Sequence, residues 1–162
     1  MRGASEAVAT RPEMPGYGVR SRGEGMLAWG WVEERMGGAR NYWVATTRPD
    51  GRPHVAPVWG VWVDGTLYFG TGRRSRKGRN LAANPSVVVH LESGDDVVII
   101  EGVAEAVADR TTVAAIDAAY REKYGMGAGE DDGAAWYALR PSVAFAWLER
   151  DFPNTATRWG FD

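Results

Sequence analysis

The stretch PHVAPVWGVWVDGTLYFGT, residues 53–71, decides the fold. Strand-forming residues fill both of its halves, and Asp64-Gly65 divides them. Glycine tolerates the positive φ of a two-residue turn, so Asp-Gly between such runs predicts a β-hairpin. Side chains alternate along a strand. Val55, Pro57, Trp59, Val61 and Val63 therefore share one face, and His54, Ala56, Val58, Gly60 and Trp62 share the other.

Upstream, Asn41 to Arg48 is rich in aromatic and β-branched residues and ends at the turn Pro49-Asp50-Gly51, so a strand precedes the hairpin. Downstream, Ser75 to Asn84 reads as a helix with Ser75 as its N-cap and Pro85 stopping it. Val87 to Glu92 is a strand, turned by Ser93-Gly94-Asp95-Asp96 into the long run Val97 to Ala108. Asp109 caps a second helix, with Val113, Ile116, Tyr120 and Tyr124 on one face and Gly125 at its end. An acidic, glycine-rich loop, 125–133, leads to a last strand pair, Trp136 to Arg140 and Ser142 to Glu149. Before the hairpins, Met26 to Met36 predicts a short helix ended by Gly37-Gly38. The segment ahead of it reads as an arm without much regular structure. Hairpins in series, broken by helices, predict a mainly β fold: an antiparallel barrel with α additions.

Composition narrows the function. The chain has 162 residues, of which 44% are hydrophobic, enough for one real core. There is no cysteine, which removes disulfides, thiolate metal sites and cysteine nucleophiles. Two histidines without ligand-spaced carboxylates make a metal site an unsupported expectation, so none is assigned. A net charge of −2 argues against nucleic-acid binding. No apolar run is long enough to span a membrane, and the first residues lack a signal-peptide core, so a cytoplasmic protein is expected.

Arg73, Arg74, Arg76, Lys77 and Arg79 nevertheless cluster where a strand ends and a helix begins. The first amides of a helix have no internal partners, and its dipole is positive there. Such an end with added cations suits a phosphate. Read alone, the run fits a solvated basic face better than a phosphate site, with nucleic-acid backbone contact as a second alternative. Pro57 removes one ladder hydrogen bond from its strand, leaving backbone beside it free to meet a ligand, or marking an irregular edge strand. No side-chain catalyst emerges: Glu101 and Glu105 read as a solvated strand face, and no Ser-His-Asp set can be placed. A binding site without a catalyst suggests that a cofactor carries the chemistry.

In combination, four blocks resemble the pyridoxamine 5′-phosphate oxidase-like split-barrel superfamily, in particular its flavin and deazaflavin oxidoreductase branch. They are Ala45 to Pro53, Val55 to Gly60, Thr71 to Leu81 and Ala156 to Phe161, within a span of about Asn41 to Phe161. The resemblance implies a six-stranded split barrel over 41–162, preceded by an arm and short helix over 1–40. It implies that Val55, Ala56, Pro57, Val58, Trp59 and Gly60 line the cofactor ring, and that Thr71, Ser75, Arg76 and Lys77 hold the phosphate with Arg79 and Asn80 nearby. It also implies a homodimer in which Trp147 and Arg158 close over the partner's cofactor. True oxidases of this group end in an Arg-x-His pattern; here the tail reads Thr157-Arg158-Trp159, which speaks against vitamin B6 oxidation.

The expected function is an F420-dependent oxidoreductase moving a hydride between the deazaflavin and a small unsaturated or aromatic substrate. An FMN-dependent oxidoreductase, a non-catalytic cofactor carrier, a haem-binding barrel and a structural or interaction role without a ligand are the alternatives. Trp59, Trp147 and Trp159 are expected to shape the substrate face, and Met14, Pro15 and Tyr17 to cover it.

Overall fold

The computed structural model describes residues 7–127 and 133–162. Among them, nine strands and four helices run in the order β1 (Val8–Thr10), α1 (Trp29–Gly38), β2 (Tyr42–Thr47), β3 (Pro53–Val58), β4 (Gly60–Val63), β5 (Thr66–Gly72), α2 (Arg76–Ala83), β6 (Ser86–His90), β7 (Asp96–Val107), α3 (Arg110–Tyr124), β8 (Ala134–Leu148), α4 (Phe152–Thr155) and β9 (Thr157–Gly160). A 3-10 turn, Glu149–Asp151, joins β8 to α4.

The pairings are antiparallel, in the order β1-β9-β8-β7-β6-β2-β3. β5 pairs with β4 on one side and with the first half of β8 on the other, which closes the sheet. β4 continues β3 after a break at Trp59. The barrel wall therefore has the six expected strands, counting β3 and β4 as one; β9 and β1 extend the sheet from the second half of β8. The fold is a split β-barrel with flanking helices.

Three details depart from the sequence reading. Residues 134–148 form one strand instead of two, because Pro141 sits at a bulge: Glu101 faces Val143, Gly102 faces Pro141, and Ser142 is left over. A bulge is where a strand admits proline. Gly102 is required there, since a Cβ would collide with the Arg140 carbonyl. The arm is also more ordered than expected, with β1 adding an edge to β9. The Arg11 guanidinium fastens this arm by donating to the carbonyls of Arg22, Glu24, Asn154 and Ala156. Lastly, α1 runs through Gly37-Gly38 and stops at the extended Ala39.

The core fills the barrel and is completed by α1: Val32, Met36, Val44, Leu67, Phe69, Val89, Val98, Ile100 and Trp159 are all buried. Trp159 is only 1% exposed and meets the Trp29 ring edge-on, so it is a core residue and not part of a substrate face. Among the described residues, no helix is long and apolar enough to cross a membrane.

Candidate functional site

Local chemistry builds the end of the barrel at which α2 begins. β5 delivers Thr71 and Gly72, and the chain turns into a helix whose N-cap is Ser75. The Ser75 hydroxyl accepts from the Gly78 amide at 3.0 Å, donates to the Gly72 carbonyl at 2.7 Å, and lies 3.1 Å from the Thr71 hydroxyl. Gly78 is buried against this turn, and a Cβ on it would strike the carbonyls of Gly72 and Arg73. The turn is thus folded back tightly on the helix, with room only for a glycine.

Cations surround it. Arg76 and Lys77 are half-buried and Arg79 is exposed. Burial holds the Lys77 ammonium below its ordinary value. Arg76 is depressed chiefly by the like charge of Arg79, then by desolvation and by Arg48 and Arg52. The acid that offsets this, Asp50, is already paired with Arg52 at 2.8 Å.

Behind the turn, α2 packs on β2, where the Asn80 amide donates to the Thr46 hydroxyl at 3.0 Å. Thr46 faces His54 across the β2–β3 pair, so both point to the side that α2 covers. Three enclosed polar atoms here, Arg48 Nε, His54 Nδ1 and Asn80 Oδ1, have no hydrogen-bond partner among the described residues. Buried polar atoms are normally paired. Asn80 Oδ1 is an acceptor, but Arg48 Nε is a donor and His54 Nδ1 donates when the ring is protonated, and these two nitrogens within a crowd of cations match the chemistry of an anion's binding site.

The β3 residues divide as their alternation requires. Ala56 and Val58 are half-buried on the inward side, whereas Val55 and Pro57 are exposed on the outer face. At Trp59 the strand breaks and the pattern slips, since Gly60 and Val61 are both buried. Gly60 is needed for the core: a Cβ there would come within 3.1 Å of Leu67 and Tyr42.

α3, to which the sequence reading gave no role, holds this break. Tyr120 donates to the Trp59 carbonyl at 2.8 Å, Lys123 to the Gly60 carbonyl at 2.8 Å, and the Tyr124 hydroxyl accepts from the Gly60 amide at 3.0 Å. The Tyr124 ring stacks on Trp59 with centroids 4.3 Å apart. Desolvation, and secondarily Arg40, lowers the Lys123 ammonium to about 8. Tyr120, Lys123 and Tyr124 share one helix face by spacing, but only the fold reveals what they touch.

Trp147 and Arg158 lie elsewhere in the same chain. Thr71 pairs with Ala135 at one end of β8, and Arg158 pairs with Phe145 near the other. Ten residues of strand separate those positions, roughly 33 Å along β8. Trp147 packs edge-on against Phe152, which also meets Tyr17, so the arm sits beside this end and not beside α2.

Val55, Pro57 and Arg158 nonetheless belong to one surface. Successive registers align Pro57, Trp43, His90, Ile99, Phe145 and Arg158 in one row across the outer face of the sheet. A neighbouring row runs Val55, Ala45, Val88, Glu101, Val143 and Gly160. A groove of about 440 Å³, lined by Ala45, Thr47, Pro53, Val88, Glu101 and Ser142 among others, opens on it.

Barrel closure and helix order define a split β-barrel protein with a cationic turn at the start of α2. The chain belongs to the pyridoxamine 5′-phosphate oxidase family, whose profile matches residues 31–152. It is 46% identical over 68 residues to the pyridoxine/pyridoxamine 5′-phosphate oxidase of Gluconobacter oxydans (strain 621H), a match covering 40% of this chain and 34% of that protein. Among solved structures it resembles the conserved hypothetical protein Rv2991 from Mycobacterium tuberculosis, with a TM-score of 0.70 at 23% identity over 82% of this chain and 91% of the other. It also resembles an F420 reductase, with a TM-score of 0.57 at 24% identity over 69% and 94% of the two chains. At such identities the structural likeness speaks for the fold.

Proposed function

We propose that this protein is an oxidoreductase that binds a flavin-type cofactor by its phosphate at the start of α2, with the deazaflavin F420 as the preferred form and FMN as the alternative. The observation that carries the reading is the cradle: Ser75, Arg76 and Lys77 at a tight helix start, backed by the unpartnered Arg48 and His54 nitrogens. Family membership and the likeness to an F420 reductase support it.

In this reading Thr71 and Ser75 offer hydroxyls to the phosphate, and Arg76 and Lys77 offer charge-assisted hydrogen bonds, with Arg79 adding long-range attraction. The exposed backbone and side chains of Val55 and Pro57, with Ala56, Val58, Trp59 and Gly60 fixing the strand beneath, orient the ring. A bound flavin or deazaflavin supplies the two-electron hydride chemistry, for which no protein acid or base is assigned. The substrate is small and unsaturated or aromatic, and Trp59, stacked on Tyr124, supplies one flat wall for it.

A homodimer completes the site. The outer face carries Val55 at 52% exposure and Val103 at 41%, an apolar surface of the kind that partners cover. A twofold interface is self-complementary. The β3 end of one copy then meets the β9 end of the other, which brings Trp147 and Arg158 of each subunit toward the site of its partner.

Fluorescence titration of cofactor-free protein with F420 and with FMN tests the cofactor. Tighter binding of F420, followed by oxidation of reduced F420 when an enone or nitroaromatic acceptor is added, is the expected result. Preferential FMN binding transfers the same site to the flavin reading. Binding without turnover over a broad acceptor panel makes the protein a carrier.

A further inference from the structure

His54 stands on β3 directly opposite Thr46, on the side that α2 covers through the Asn80–Thr46 hydrogen bond. Its Nδ1 is enclosed and has no partner among the described residues. The charged groups that face this end of the barrel are Arg48, Asp50 and Arg52 around the β2–β3 turn, and Arg76, Lys77 and Arg79 on α2. Asp50 is engaged by Arg52. His54 therefore meets a net positive field with no counter-ion of its own.

Desolvation, followed by Arg48, Lys77 and Arg76, holds the imidazole below its ordinary 6.5. The ring is thus neutral near pH 7 while the surrounding cations stay charged. An anion entering the cluster reverses both influences, because it cancels the field and offers an acceptor to Nδ1. Protonated imidazole donates from both nitrogens, so the charged ring is the form that such a ligand favours.

We propose that His54 is a further binding residue of the cradle, and that its imidazole takes up a proton as the cofactor's anionic group binds. The inference rests on the phosphate reading of the α2 start. Cofactor affinity is then linked to pH through this ring. It is tightest on the acid side and declines by up to about tenfold per pH unit between the midpoints of the free and the occupied protein.

The chain has only two histidines, which makes the ring directly observable. The imidazole protons of the wild-type protein are titrated by NMR without ligand and with saturating F420 or FMN; His54→Gln assigns the signals, and far-UV circular dichroism checks its fold. His90, whose Nδ1 lies 2.8 Å from the Leu91 carbonyl, gives the second signal, which the variant leaves in place. The His54 midpoint should start below 6.5 and rise on binding. Calorimetry in two buffers of different ionisation enthalpy should show more proton uptake for wild type than for His54→Gln. The phosphate's own ionisation is common to both proteins and cancels in that difference. If a cofactor binds while the His54 midpoint stays fixed and proton uptake is the same in the variant, the proposal is overturned and the cradle stands. If neither cofactor binds wild type, the cradle itself is overturned and the proposal falls with it.

Discussion

Glycine at position 78 is dictated by two carbonyls. Its Cα lies so close to Gly72 and Arg73 that any side chain pushes the β5–α2 turn off the helix. Helix propensity favours alanine over glycine by about 1 kcal/mol, whereas overpacking costs about 1–3 kcal/mol. Gly78→Ala should therefore lower stability by up to about 2 kcal/mol in chemical denaturation and weaken cofactor binding in the same preparation. A variant as stable as wild type with full affinity would mean that the turn is looser than described. The run Arg73 to Arg79 was legible in the sequence because all of its signals are local. Arg48 and His54 were not, because only the β2–β3 register and the α2 packing bring them to that run. Trp159 misled for the opposite reason: an indole near a family motif looks like a site residue, but here it fills the core.

At the scale of elements, the helix caps were legible and the strand break was not. Ser75 and Asp109 cap α2 and α3 through bonds only three residues long. The interruption at Trp59 is held by Tyr120, Lys123 and Tyr124, more than sixty residues away in sequence. In sequence Pro141 reads as a strand end, yet the bulge opposite Gly102 lets β8 continue through it. The α3 clamp has a pH signature. The Lys123 ammonium falls from 10.5 to about 8 in the folded chain. A base depressed by folding contributes stability that is present above its unfolded value and lost as pH falls through the folded one. Wild type should therefore lose stability from pH 10 down to 8 relative to Lys123→Met, whose denaturation midpoints should lack that slope. Equal slopes in the two proteins would remove Lys123 from the clamp's electrostatics.

For the whole molecule, barrel closure was legible from hairpin order, while the joining of β1 to β9 depends on Arg11 reaching carbonyls in the C-terminal segment. The proposed dimer also belongs to this scale. Ile99 lies mid-row on the outer face, between His90 and Phe145. A buried carboxylate there has only His90 and Phe145 as its cross-strand neighbours, so Ile99→Glu should convert a dimer into monomers on size-exclusion chromatography with light scattering, leaving the circular dichroism unchanged. A wild-type monomer at micromolar concentration would dismiss the shared site.

The phosphate grip proposed for the start of α2 underlies every other assignment at this site. Its most direct test compares each cofactor with its own phosphate-free form, FMN with riboflavin and F420 with the deazariboflavin core, in wild type and in the double variant Arg76→Ala/Lys77→Ala. A hydrogen bond to a charged group contributes about 1.5–3 kcal/mol, or roughly 10- to 150-fold in affinity. Wild type should prefer the phosphorylated form of its cofactor by at least that factor, and the double variant should bind both forms alike. Equal binding of the two forms by wild type would contradict the account and return the basic turn to a solvated face.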